Sequence, residues 1–237
     1  MKLLALDTAT EACSAALWVD GVITSHCEIV GRDHTQRLLP VVAQVLGAAG
    51  LRYADLDGLV CGLGPGSFAG VRIGVAFAKG VALAQDLPVV GVSSLALLAQ
   101  AALQPADAAP VLVAIDARMG EVYFQAFERG ADGRAQPLGD AAVLPPQGVS
   151  LPVSRQRWQA VGTGWGSYEA VLRDRVPAPL AAVNGAALPE AAYAFAAAVP
   201  VFQQGAALAA DALQPIYLRN NVALTLVQQQ ALRAQRG

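Results

Sequence analysis

The sequence predicts an α/β protein. Two observations carry that reading. The chain opens with three strand-like runs before its first helix, and short apolar strands then alternate with helices of 3.6-residue period. A chain of 237 residues, 55% of them hydrophobic, can bury one large core or two smaller ones.

Lys2–Asp7 reads as a buried strand. Residues 12–19 read as a second, ending at Asp20-Gly21, a strong hairpin signal because both residue types accept positive φ. Residues 22–30 complete a meander unlike the start of a dinucleotide-binding fold. A helix is expected over about residues 35–49, with Leu38, Leu39, Val41, Val42, Val45 and Leu46 on a wide apolar arc. Gly50 suits its C′ position, and Pro40 should bend it. Residues 56–61 form a short strand running into the loop Gly62-Leu63-Gly64-Pro65-Gly66-Ser67-Phe68-Ala69-Gly70. A helix then continues to about Gln85. Residues 88–92 are the next strand, and Ser93 or Ser94 caps a helix to about Leu103.

The polar, Ala- and Pro-rich segment 104–110 is a candidate boundary. Beyond it, residues 111–116 and 121–128 read as strands around the turn 117–120. The pattern then weakens, with a strand near 159–162, an Ala-rich helix near 188–202, and a tail from Ile216.

Composition excludes several classes. Only 14% of residues are charged and the net charge is −2, so neither disorder nor a strongly basic nucleic-acid face is present. Three cysteines in this length make no disulfide framework, and reduced thiols are expected. The long uncharged stretches 87–106 and 191–210 contain Pro, Gly, Gln or Ser and read as strand, turn and Ala-rich helix, not as bilayer spans. An acid at position 7 interrupts any leader-like apolar core. The expected location is the cytoplasm.

The Gly-rich loop fails the phosphate-loop pattern, since Ala69 or Val71 stands where Lys is needed. It also fails the nucleophile elbow, since Pro65 and Ala69 flank Ser67. Gly64, Gly66 and Ala69 match a dinucleotide fingerprint, but Asp86 precedes the strand it should end. After the loop come two small-residue rows, Gly70, Gly74, Ala78, Ala82 and Ala76, Gly80, Ala84. Such rows admit close packing, within the chain or between chains. His26 and His34 are the two histidines, and no Cys pair has metal-ligand spacing, so no metal is expected. A hydrolase using Ser67 and His34 remains open by count alone. Asp7-Thr8 ends the first strand, where a nucleotide-dependent enzyme could place an acid and a hydroxyl; local hydrogen bonding of the turn is the competing reading. Asp116 and Glu121 around Arg118 read as an ion-paired turn.

A set of motifs carries a family resemblance: residues 4–10 (LALDTAT) with Cys13-Ser14, His34-Thr35-Gln36-Arg37-Leu38-Leu39-Pro40, residues 64–74 (GPGSFAGVRIG), residues 91–95 (GVSSL), residues 116–123 (DARMGEVY) and Pro215-Ile216-Tyr217-Leu218-Arg219. With them the chain resembles the TsaB (YeaZ-type) family, bacterial relatives of the TsaD transferases within the actin-like superfamily. Ala69 departs from the usual Thr. The resemblance implies a two-lobed actin-like (ribonuclease H-like) fold of mixed sheets flanked by helices. The implied lobes are residues 1–105 and a reduced one, 106–237, with a helix near 188–204 able to pack back on the first.

It also implies work on N6-threonylcarbamoyladenosine beside the tRNA anticodon, as a noncatalytic scaffold for a TsaD-like transferase, with a TsaE-like ATPase completing the assembly. A homodimer is implied in the partner's absence, with tRNA reached only indirectly. The metal-binding His positions of TsaD-like relatives fall here at Ser94 and Leu98, which cannot make that site. No cofactor is expected, with Asp7 and Thr8 the nearest to nucleotide ligands. The expected partner interface is His34, Arg37, Leu38, Val41, Val42 and Val45 on the first helix with Gly70, Arg72, Gly74, Phe77 and Val81 on the second.

Overall fold

A computed structural model describes residues 1–151 and 157–219. The part of the expected second lobe at 220–237 lies outside the described residues.

The opening meander is β1 (Lys2–Asp7), β2 (Ala12–Val19) and β3 (Val22–Ile29), all antiparallel. Asp20 and Gly21 turn the β2–β3 hairpin with φ of 48° and 100°, which is why Asp-Gly stands there. Helix α1 (His34–Ala48) follows and packs on β2. Strands β4 (Gly58–Gly62) and β5 (Val89–Val92), joined by α2 (Phe68–Gln85), add in parallel to β1. The first sheet therefore runs β3-β2-β1-β4-β5, mixed as expected.

Helix α3 (Ser94–Ala102) joins the two halves. Leu97 packs in the core of the first sheet, while Leu95, Leu98 and Ala99 pack against the second. The second sheet is built on the antiparallel pair β6 (Val111–Arg118) and β7 (Glu121–Arg129). To β7 are added β8 (Ala135–Pro137) and β9 (Ala142–Leu144). To β6 are added, in parallel, β10 (Trp158–Val161) and then β11 (Leu180–Asn184).

Four elements were not anticipated: β8, β9, β11 and helix α4 (Thr163–Asp174). The three strands are three to five residues long, and turn residues hide such runs. Helix α4 starts at Gly162-Thr163-Gly164, which the sequence presents as loop. Gly164 is required because a Cβ would lie 2.9 Å from that of Ala114 on β6. Trp165 anchors the helix, fully buried and donating its indole N–H to the Leu112 carbonyl at 3.0 Å.

The expected helix near 188–202 is a 3-10 turn (Ala191–Ala194) continuing as α5 (Phe195–Gln203). Ala191, Ala194, Phe195 and Ala198 lie in the core of the first sheet. From there the chain crosses back, with Leu213 in the α1/α2 core and Ile216 N–H donating to the Leu63 carbonyl. Helix α2 has the length and apolarity of a membrane span. Its buried residues pack on the first sheet, and it also carries Arg72 and Lys79.

Candidate functional site

The loops after β1 and β4, the β6–β7 turn and the segment 216–219 meet in one cleft of about 480 Å³. Its lining includes Ala9, Thr10 and Glu11, Gly66, Ser67 and Phe68, Asp116 to Arg118, and Ile216 to Arg219. Four of the sequence motifs therefore converge on one place, at the carboxyl ends of parallel strands where α/β folds bind ligands.

Asp7 and Thr8 sit behind that cleft. Asp7 is 1% exposed. Its carboxylate accepts from Ser94 Oγ at 2.6 Å and from the Ala9 N–H at 2.9 Å. Burial pushes its pKa up to about 6, against the lowering effect of those two bonds. Thr8 donates its hydroxyl to the Gly70 carbonyl at 2.7 Å. The fold holds this pair inward, which is the turn-ordering reading.

The Gly-rich loop owes its glycines to the same contact. A Cβ on Gly62 would stand 1.9 Å from Asp7 Oδ2, and one on Gly66 would stand 2.1 Å from the Ala9 carbonyl oxygen. Ser67 N–H donates to that carbonyl at 2.7 Å, and Ser67 Oγ caps α2 by accepting from Gly70 N–H at 3.3 Å. His34, 3% exposed, bonds the Ala12 carbonyl through Nε2 at 3.1 Å, and no hydrogen bond among the described residues joins it to Ser67. The Ser-His arrangement is not assembled.

Two arginines tie the cleft together. Arg118, at φ 61° in the β6–β7 turn, pairs with Asp116 at 3.2 Å and reaches Glu11 of the first half at 2.8 Å. Arg219 bonds Glu121 and the Ala117 carbonyl. The expected ion-paired turn around Arg118 thus spans a wider set of partners. Among the described residues no cluster of His, Cys, Asp or Glu could hold a metal. Cys13 and Cys61 are buried free thiols whose pKa burial raises, that of Cys13 to about 12.

The expected interface residues divide by face. His34, Leu38, Val41, Val42 and Val45 are buried in this chain's own core, as are Gly70 and Gly74. No partner can touch those side chains, because the first sheet occupies their side of the helices. Arg37 is outward and holds Glu28 at 2.7 Å. Arg72, Phe77 and Val81 are half-buried. Outward on the same helices are Leu39 of the apolar arc, with Pro40 and Ala43, and the second small-residue row Ala76, Gly80 and Ala84.

Two mixed sheets about a cleft, with helices on both, define an actin-like protein of two lobes. The model of the family TsaD, tRNA N6-adenosine threonylcarbamoyltransferase, matches residues 22–226. The tRNA threonylcarbamoyladenosine biosynthesis protein TsaB of Escherichia coli (strain K12) is 43% identical across 94% of this chain and 96% of that protein. The protein of the same name from Haemophilus influenzae is 38% identical across 94% of this chain and 95% of its own length. YeaZ from Pseudomonas aeruginosa superimposes with a TM-score of 0.84 at 41% identity, over 92% of this chain and 99% of that one. The chain belongs to the TsaD family, in its TsaB (YeaZ-type) branch.

Proposed function

We propose that this chain acts in the formation of N6-threonylcarbamoyladenosine in tRNA, as a noncatalytic subunit that holds a TsaD-like transferase. The observation carrying the noncatalytic reading is the enclosure of Asp7 and Thr8. The carboxylate faces Ser94 and Ala9, and the hydroxyl faces Gly70, so neither is turned to the cleft. Ser94, which the resemblance places where TsaD-like relatives carry a metal-binding histidine, donates its hydroxyl to Asp7. The relatives named TsaB support the pathway.

The partner surface in this reading is the outward face of α1 and α2, on a first lobe taken as residues 1–105. Leu39 is 58% exposed, and a Cβ added to Gly80 would meet nothing within 4 Å, so a helix of another chain can approach closely there. The transferase takes this face in the active assembly, a second copy takes it otherwise, and a TsaE-like ATPase joins the larger complex. All work in the cytoplasm.

The test is reconstitution of tRNA modification from purified partners with and without this chain. Modification is expected to require it; equal yields without it would refute the proposal. Gly80→Trp is expected to abolish co-purification with the transferase without lowering the melting temperature. Val42→Asp or Gly74→Leu would disrupt the chain's own core and say nothing about binding.

A further inference from the structure

The cleft has features that neither partner binding nor the packing of Asp7 and Thr8 uses. Phe68 and Tyr217 line it, yet are 62% and 53% exposed. The Arg72 guanidinium lies between them, 3.2 Å from the Phe68 ring centroid and 4.9 Å from that of Tyr217. Aromatic faces left in water are platforms on which unstacked nucleobases lie, and a guanidinium packed behind them holds the rings in place. Val71, Ile115 and Ile216 give the cleft an apolar floor. At its rim Arg32 makes no ion pair among the described residues, whereas Arg118 and Arg219 are already matched by carboxylates.

A free nucleotide would need an anion cradle at the base of the Gly-rich loop. That cradle is incomplete: Pro65 has no N–H, Ser67 N–H is bonded to the Ala9 carbonyl, and Gly70 N–H is bonded to Ser67 Oγ. An RNA strand needs none, since it can present a base to the aromatic wall and keep its phosphates at the rim.

We propose that this cleft receives an unstacked base of single-stranded RNA, with Phe68 and Tyr217 as its stacking surfaces and Arg32 as a phosphate contact. This rests on the function proposed above, in which the substrate is a tRNA, and it replaces the expectation of purely indirect contact. The net charge of −2 makes the contact a supplement to the partner's grip.

The test titrates a fluorescent, unmodified tRNA anticodon arm against the full chain in complex with its transferase, followed by anisotropy. Phe68→Ala and Tyr217→Ala are each expected to weaken binding about tenfold, the effect of losing one stacking platform. Phe68→Tyr should retain it. Arg32→Ala should lower the slope of log affinity against log salt by about one. Co-purification with the transferase should not change in any variant. Unchanged RNA affinity in both alanine variants would overturn the assignment. So would displacement of the RNA by ATP at equal strength, which would make the cleft a mononucleotide site, or loss of the transferase, which would make it a protein contact. The two readings fail separately: a chain dispensable for modification sinks the proposed function, whereas a required chain whose RNA affinity ignores Phe68 and Tyr217 sinks only the cleft assignment.

Discussion

The loop and helix from Gly62 to Gln85 have an inner and an outer face made of the same small residues, put to opposite uses. On the inner face a Cβ at Gly66 or Gly70 would stand 2.1 Å from a backbone carbonyl oxygen, and one at Gly74 would stand 2.5 Å from Thr8 Oγ1. Ala78 and Ala82 continue that row at 0% and 1% exposure. On the outer face Gly80 has open space around it, and Ala76 and Ala84 are exposed. Small residues permit close approach, but their phase about the helix axis decides what approaches. The inner row admits this chain's own β1, and the outer row is free for another molecule.

The largest expected effect breaks the inner face. Gly70→Val forces a side chain onto the Thr8 carbonyl, and neither backbone can move without disturbing β1. A loss of about 3 kcal/mol or more is expected, in the upper range of overpacking. Urea unfolding followed by circular dichroism measures it. A midpoint within error of the parent would show that the face is not tightly packed.

Much of this division was legible in the sequence, and part was not. The rows themselves, the β1–β3 meander and the strand–loop–helix order follow from periodicity and Asp-Gly chemistry. Which row faces inward does not, because both rows are equally apolar and only the sheet breaks the tie. The same ambiguity put Val42 and Gly74 into an expected interface. The cleft was invisible as a unit: Glu11, Phe68, Arg118 and Arg219 are far apart in sequence, and only the fold brings them together. Asp7 was legible as a special residue, but its bond to Ser94 spans 87 positions.

That buried carboxyl gives the second effect, which sharpens the account of the inner face. The ordinary pKa of 3.8 is raised to about 6 by burial, so the folded state holds the Asp7 proton more tightly than the unfolded state. The associated stability is present below about pH 4, is lost as pH rises toward about 6, and stays lost above. The difference is about 3 kcal/mol at the usual value per pKa unit. Glu28, Asp55 and Asp132 are held below their ordinary values by arginine partners and act in the opposite sense. A difference measurement removes them. The stability of Asp7→Asn relative to the parent should climb with pH across that window, by urea unfolding at each pH. A constant difference would mean that Asp7 does not titrate there.

The outer face predicts a gain. Gly80 lies inside α2 without positive φ and with nothing near its missing Cβ. Gly80→Ala restricts the unfolded chain and should stabilise the protein by about 0.5–1 kcal/mol. A rise in melting temperature checks it. If Gly80→Ala stabilises while Gly80→Trp releases the transferase, the outer row carries a glycine against its own helix propensity, as expected of a surface kept narrow for a partner.

The smallest effect belongs to the cleft between the lobes. Arg118 reaches Glu11 at 2.8 Å, but the two side chains are 71% and 41% exposed, so solvent and salt weaken their attraction. A double-mutant cycle with Arg118→Ala and Glu11→Ala should return a coupling of about 0.2–1 kcal/mol that shrinks as salt is added. That value would leave the cleft edges held chiefly by backbone-directed contacts such as Arg219 on the Ala117 carbonyl and Ile216 on Leu63. It would also leave Arg118 free to exchange its carboxylate for another anion at little expense. A coupling well above that range would instead make the pair a fixed clasp, and the cleft a structural seam closed to any ligand that needs the arginine.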